Sequence, residues 1–347
     1  MWFLRRHPNF AMLAAGLLVS CLLVVAAEFL LRLRPKSDDL TPYTVFSPRT
    51  AYEEPIGYRP AADCMVVGES KNIRETFYHY EANIDEYHRR ITNCPGAPSK
   101  GQFVLFFGCS FTFGDGLRDD QTLPSRFCVR VPGIEVQNYA FPGYGVQQMY
   151  CLLSRPRKMP KEMRAPTGLA LYVYIDDHLQ RLRGTVSWAS ATPHLEIEDG
   201  RVVYKGSFAP HTPLEKVRAW VDGTRLGRLA HRTLRPIGPP SPEDRDKLAR
   251  VCAESKEKMQ DMFPGSDLKV VIFPMVQTAS IIKNLLDEYG VDCLDYHDLL
   301  DSSGMTMEQI FLPDGHPRPK IVQIIADRLA KDLAADPVWG PRLGIVP

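Results

Sequence analysis

Phe103-Val-Leu-Phe-Phe-Gly-Cys-Ser-Phe-Thr-Phe-Gly-Asp-Gly116 is the stretch whose reading decides the fold of this chain. The apolar run from Phe103 to Phe107 is too short for a helix and too uniform for a half-exposed strand. It reads as a strand buried on both faces, the kind found in parallel sheets. The run stops at Gly108, Ser110 follows two residues later, and glycines return at 114 and 116. A strand that breaks into a Gly-x-Ser turn holds a hydroxyl at the carboxyl edge of its sheet. Open α/β sheets place their ligands along that edge. An ordinary capped βα turn accounts for the same residues, so the rest of the chain has to separate the two.

Downstream, strand and helix patterns alternate. Asp119 to Val131 predicts a helix with Pro124 near its start, and Ile134 to Tyr139 a strand running into Asn138-Tyr-Ala-Phe-Pro-Gly-Tyr-Gly145. Gln147 to Ser154 predicts a helix, and Leu169 to Ile175 a strand that leads into Asp176-Asp-His178. Residues 179–240 break the rhythm with Gly- and Pro-marked turns, a hairpin near His194 to Tyr204 and an amphipathic stretch from Leu214 to Leu234. They read as an insertion over the carboxyl edge, placed to act as a lid and to read substrate shape. The alternation then resumes. Ser241-Pro-Glu-Asp opens a helix with a cap, a proline at the first position and acids in the first turn. Leu268 to Phe273 is a strand, Ala279 to Tyr289 a helix and Val291 to Leu294 a short strand. Phe311-Leu-Pro-Asp-Gly-His-Pro317 leads into a closing helix over Pro319 to Ala334. This pattern predicts an α/β fold, a three-layer α/β/α sandwich with a mostly parallel sheet over 101–334, followed by a short tail at 335–347. Residues 37–100, rich in Pro, Tyr, Asp and Glu without a sustained period, read as a linker and a small irregular elaboration.

Composition narrows the function. The chain of 347 residues is 44% hydrophobic and 24% charged, with a net charge of +1. That is a globular protein with a real core and no field that favours nucleic acid. Residues 1–36 differ. After Arg5, Arg6 and His7, Phe10 to Ala27 carries no charge, and Phe29, Leu30, Leu31 and Leu33 extend it beyond Glu28. That is just enough to cross a hydrocarbon core of about 30 Å, which predicts one N-terminal membrane-spanning helix. A cleaved signal peptide ending at Ala26-Ala27 and a lipidated Cys21 in Leu18-Val-Ser-Cys21 are the alternatives. Arg32, Arg34 and Lys36 balance Arg5 and Arg6, so charge alone leaves the orientation open. None of the eight cysteines form a CxxC pair, so no structural zinc site or other metal site is expected. In an exported domain Cys64 with Cys94 is the pair to test, while Cys128, Cys151, Cys252 and Cys293 sit in apolar surroundings as buried small side chains.

Four stretches fall at strand ends or in loops on one edge: Gly108-Cys-Ser110, Asn138 to Gly145, Asp176-Asp-His178 and Asp314-Gly-His316. A serine hydroxyl needs a base before it attacks, and an imidazole needs a carboxylate to fix its tautomer. These residues resemble the SGNH (GDSL-like) hydrolases and acyltransferases, which have a flavodoxin-like fold. Gly-Cys-Ser-Phe-Thr-Phe-Gly-Asp-Gly116 matches the first block, with Ser110 as nucleophile, and Asn138 to Gly143 the second. Asp314-Gly-His-Pro317 resembles the last, with Asp314 and His316 completing the triad.

The resemblance implies an oxyanion hole built from the N–H groups of Ser110 and Gly143. Its third donor is in question, because the family's Gly-x-Asn-Asp block is here Tyr174-Ile-Asp-Asp177, and an ionised Asp176 cannot donate. Asp176 pointing away, Asp176 held protonated, or His178 in its place are the options. Cys109 stands where the family usually has Asp, and a thiol nucleophile there is a minor alternative. Arg181 is a candidate for binding an anionic substrate group. The resemblance thus implies a membrane-anchored serine esterase or O-acyltransferase, without metal or organic cofactor. It would act through an acyl-serine on acylated envelope polysaccharide or lipid, on the extracytoplasmic face of a bacterial cytoplasmic membrane. A secreted or lipid-anchored form is the other location, and an inactive glycan-binding or scaffold module is the other function.

Overall fold

The computed structural model describes residues 8–33, 43–47, 50–72, 74–227, 229 and 238–345. The chain divides into two compact units, Met1–Leu40 with Pro210–Pro239, and Thr41–Ala209 with Pro240–Pro347.

In the smaller unit, Pro8–Leu33 forms a single helix, α1. Its Gly16–Leu33 segment has a mean hydropathy of 2.2 and is apolar enough to cross a membrane, a property it shares with signal sequences. A second helix of this unit, Pro213–Gly223, begins at a reciprocal cap: Glu215 N–H donates to Thr212 Oγ1 and Thr212 N–H to the Glu215 carboxylate. Just beyond this helix the chain is fastened to α1. Glu28 accepts N–H bonds from Arg225 at 3.0 Å and Leu226 at 2.9 Å, and the Arg225 guanidinium donates to the Leu31 carbonyl at 2.8 Å.

The larger unit is an α/β sandwich. Its parallel sheet runs β7-β6-β8-β11-β12, from Glu135–Asn138, Gln102–Phe107, Thr167–Tyr174, Asp267–Ile272 and Asp292–Asp295. In chain order this is 2-1-3-4-5, the flavodoxin-like arrangement, whose order reverses between the first and third strands. The first of these, β6, is the Phe103–Phe107 run. It sits beside both β7 and β8, with Phe106 opposite Asn138 and Leu171. Burial on both faces explains its uniform apolar sequence: Phe103 to Phe107 are all closed to solvent. Helices begin where the chain chemistry says they should. Leu123–Arg130 starts behind the Thr122 cap with Pro124 in its first turn, later than Asp119, because Asp119–Gln121 forms a separate 3-10 turn. Pro242–Met262 starts at the Ser241–Asp244 capping box, and Pro319–Ala335 has its proline at the first position.

Three features of the chain differ from the sequence expectation. The segment from Tyr43 to Ile84 carries five strands among its described residues: an antiparallel meander β1-β4-β5 (Tyr43–Ser47, Cys64–Lys71, Thr76–Ile84) and a hairpin of β2 and β3 (Ala51–Glu53, Gly57–Arg59). Arg90 bridges this meander to the edge of the parallel sheet, pairing with Ile84 on one side and Asn138 on the other. The disulfide also differs. Cys94 pairs with Cys128, while the Cys64 thiol lies on the Ala61 carbonyl. Past Arg90 the chain has left the meander for the Leu123–Arg130 helix, where Asn93 N–H donates to Ser125 Oγ, so Cys94 meets Cys128 rather than Cys64. The 179–240 insertion is also divided. Its hairpin, β9 (Pro193–Glu198) and β10 (Arg201–Ser207), packs Leu195 and Val202 into the core of the sandwich, whereas 210–239 belongs to the smaller unit.

Arg90 is 1% exposed, and its guanidinium donates to the carbonyls of Phe113, Gly114 and Leu117 and to Asp119. Removing one partner of such a buried group leaves the others unpaired. Arg90→Met is therefore expected to lower unfolding stability by about 3–5 kcal/mol in chemical denaturation, against well under about 1 kcal/mol if the guanidinium were dispensable.

Candidate active site

At the end of β6 the chain turns through Gly108, whose φ of +149° and contact with Thr112 leave no room for a Cβ. Cys109 is extended, and Ser110 is the first residue of the four-residue helix Ser110–Phe113. The Ser110 carbonyl accepts N–H bonds from Gly114 at 2.8 Å and Asp115 at 3.0 Å, which folds Asp115 back beneath the serine. The N–H of Ser110, at the start of a helix, has no acceptor among the described residues. Nor does its hydroxyl make a hydrogen bond to any of them.

The second block follows β7. Asn138 is fully buried; its amide donates to the Thr112 and Phe113 carbonyls at 3.3 and 3.5 Å, and its oxygen accepts Ala140 N–H at 3.1 Å. This locks the loop onto the serine turn. Gly143 lies in that loop at φ +79°, with an N–H that also finds no acceptor among the described residues. A Cβ there would strike Tyr58 and Trp188. Both side chains hold the loop: Tyr58 OH donates to the Pro142 carbonyl at 2.9 Å and Trp188 Nε1 to the Gly143 carbonyl at 3.4 Å.

The last block carries Asp314 and His316. Asp314-Gly-His316 forms a tight turn closed by Leu312 N–H to the His316 carbonyl at 2.7 Å, with Gly315 at φ +85°. His316 Nδ1 lies 2.9 Å from Asp314 Oδ2. The imidazole packs against the Phe111 ring at 5.7 Å between centroids, so it rests on the residue next to Ser110. The structure thus brings Asp314 and His316 together and sets them on the serine helix, with no hydrogen bond joining His316 to Ser110.

The other sequence candidates have different partners. Asp176 accepts Gln277 N–H at 2.8 Å and the Thr278 hydroxyl at 2.5 Å, so it caps the loop before the Ala279–Glu288 helix. His178 is fully buried, its Nδ1 2.6 Å from Tyr172 OH, and burial holds its pKa well below the ordinary 6.5. Arg181 is not open to a ligand: it is buried, donates to the Tyr144 carbonyl at 2.6 Å and lies against Cys109. Its charge fixes the second-block loop from below. Cys109 itself is 1% exposed.

Three residues around the Asp314–His316 pair have no role assigned from the sequence: Tyr78, Tyr80 and Asp115. Tyr78 and Tyr80 are two apart on β5 and share its inward face; Tyr78 OH donates to Asp314 Oδ2, and Tyr80 OH to Asp115 Oδ1 at 2.6 Å. The alternation of buried Tyr80, Ala82 and Ile84 along Thr76–Ile84 is the sequence mark that could have found them. Charges follow these contacts. Burial raises Asp314, but the His316 imidazole and the Tyr78 phenol outweigh it and hold the carboxyl well below 3.8. Burial pulls His316 down, and the carboxylates of Asp314 and Asp115 more than reverse this, leaving it above 6.5.

No protein-family model and no curated protein sequence matches this chain. Solved structures that resemble it include a lipolytic protein of the G-D-S-L family from Veillonella parvula DSM 2008, at 11% identity and a TM-score of 0.37, over 66% of this chain and 97% of that one. A family two carbohydrate esterase from Clostridium thermocellum, in complex with cellohexaose, matches at 8% identity and a TM-score of 0.42, over 86% and 100% of the two chains. An acetyl xylan esterase from the rumen bacterium Butyrivibrio proteoclasticus matches at 13% and 0.40, over 78% and 69%. A reaction that draws on neutral His316 gains rate as the pH rises, because its protonated form is favoured to above 6.5. The acid limb of kcat/KM for an aryl ester is expected to be centred above that value, as initial rates across the pH range would show.

Proposed function

We propose that this protein is a serine esterase that passes through an acyl-serine intermediate. The observation that carries the reading is the unengaged Ser110 hydroxyl at the switch point of the sheet, with the Asp314–His316 pair packed on the neighbouring Phe111. His316 Nε2 takes the Ser110 proton as Oγ attacks the ester carbonyl, and Asp314 stabilises the imidazolium. The vacant N–H groups of Ser110 and Gly143 receive the oxyanion. His316 then gives its proton to the leaving alcohol. Water resolves the acyl-serine in an esterase, and a hydroxyl acceptor does so in an O-acyltransferase. Acylated envelope polysaccharide or lipid is the substrate class suggested by joining this chemistry to an apolar N-terminal helix.

The second reading is a glycan-binding or scaffold module with an idle triad. It draws on the missing Ser110–His316 hydrogen bond and on the use of Asp176 as a loop cap. A fluorophosphonate probe separates the two. Labelling at Ser110, with turnover of a short-chain aryl ester lost at least about a thousandfold in Ser110→Ala and His316→Ala, is the expected result. An unlabelled wild-type protein leaves the binding module.

The helix α1 is proposed as a retained membrane anchor, with the catalytic domain on the extracytoplasmic face of a bacterial cytoplasmic membrane. The support is the Glu28 fastening: cleavage after Ala27 would cut beside the carboxylate that holds Arg225 and Leu226. The mature protein is expected to sediment with membranes and to keep its N-terminal mass, with the domain open to protease in spheroplasts. Release into the soluble fraction with α1 removed would count against the anchor.

A further inference from the structure

His316 has a carboxylate on each side. On the Nδ1 side stands Asp314, the partner already assigned. On the Nε2 side stands Asp115, its Oδ2 at 3.6 Å. Asp115 is 2% exposed and has no part in the mechanism above, yet it faces the very nitrogen that must take the Ser110 proton. Resting on the proposed esterase reading, we propose that Asp115 is a positioning residue: it holds His316 in its protonated form, turned away from the serine, and so sets the pH at which the base becomes available.

The argument is one of donors and acceptors. A protonated imidazole has an N–H on both nitrogens and can point one at each carboxylate. Once Nε2 loses its proton to solvent it carries a lone pair, and a lone pair facing an ionised carboxylate is repelled. The Ser110 hydroxyl, which makes no hydrogen bond to the described residues, is free to donate to that lone pair once the ring turns toward it. Deprotonation therefore both creates the base and frees it to turn. This explains why His316 and Ser110 are not joined in the resting structure although the imidazole packs on Phe111, the residue next to the serine.

Asp115 is built to be held rather than to drift. Tyr80 OH binds its Oδ1 at 2.6 Å, and its backbone N–H is tied to the Ser110 carbonyl at 3.0 Å. The charges around the pair come from every neighbouring element. Asp314 and its Tyr78 phenol lie on the far side of the imidazole. Tyr80 and Arg90 act on Asp115 from the meander and the chain beyond it, and Arg181 lowers His316 slightly from the third block. Burial raises Asp115 to about 6, against which His316, Tyr80 and Arg90 pull it down. His316 lowers Asp115 and Asp115 raises His316, so the charge of each depends on that of the other.

Asp115→Asn keeps the shape and the acceptor for Tyr80 but removes the charge. Without that charge the imidazolium is less favoured, so His316 becomes neutral at lower pH. The acid limb of kcat/KM on an aryl acetate is expected to move down by about one pH unit or more. The same fall is expected for the His316 resonance in a 13C-histidine titration of the full chain, assigned by its loss in His316→Asn. In the unmodified protein that resonance should show two inflections, one of them from Asp115, and this reading does not depend on the variant folding. A single inflection in the unmodified protein, or an acid limb that stays in place in a folded Asp115→Asn, overturns the role of Asp115. If instead Ser110→Ala keeps full turnover, it is the esterase reading that falls.

Discussion

The site depends on one buried cation. The loop that carries the serine helix into Leu117 turns the carbonyls of Phe113, Gly114 and Leu117 inward, where no strand can pair them. Buried carbonyls without donors are costly, and a planar guanidinium with five N–H groups is the side chain that can answer three of them and a carboxylate at once. Arg90 does this while its backbone pairs with Ile84 and Asn138. One residue thus fixes the serine loop, the edge of the parallel sheet and the end of the meander relative to one another. Gly114 is part of the same arrangement: its φ of +95° favours glycine, and a Cβ would stand 3.2 Å from Arg90 Nη1.

That junction gives the meander its place in the chemistry. A strand whose side chains alternate by face delivers Tyr78 and Tyr80 to the same side, about 7 Å apart along the backbone. Their phenols reach the two carboxylates that flank His316. Gly68, opposite Tyr80 on β4, leaves the space that the Tyr80 ring occupies. The region that reads as a linker by composition therefore holds the site from one side, as Trp188 of the insertion and Arg181 of the third block hold the Gly143 loop from others.

What could be read from the sequence were the features written locally. The Phe103–Phe107 run, the caps at Thr122 and Ser241, and the strand–helix alternation each state their structure within a few residues, and together they define the parallel sheet. Ser110, Gly143 and the Asp314–His316 pair stood out because each ends a strand or fills a tight turn. The partner of Cys94, the bridging role of Arg90 and the approach of Asp115 to His316 are set by contacts between residues far apart in the chain. The meander escaped for a related reason. Its strands are interrupted by the hairpin at 51–59, which turns through Pro55 and Gly57, so composition outweighed the alternation in Thr76–Ile84.

The two carboxylates beside His316 show why residue type alone could not assign roles. Asp314 and Asp115 are both nearly closed to solvent, and each accepts a tyrosine hydroxyl. They differ in what offsets burial. Asp314 has the imidazole at 2.9 Å together with a phenol and is held ionised, whereas Asp115 stands 3.6 Å from the ring and is left raised to about 6. Asp176 completes the contrast. A negative charge near a developing oxyanion would oppose it, but this carboxylate is taken up by the N–H of Gln277 and the hydroxyl of Thr278. Three aspartates on one edge of a sheet thus divide into an orienting anion, a titrating neighbour and a loop cap, and it is the donors around each one that make the division.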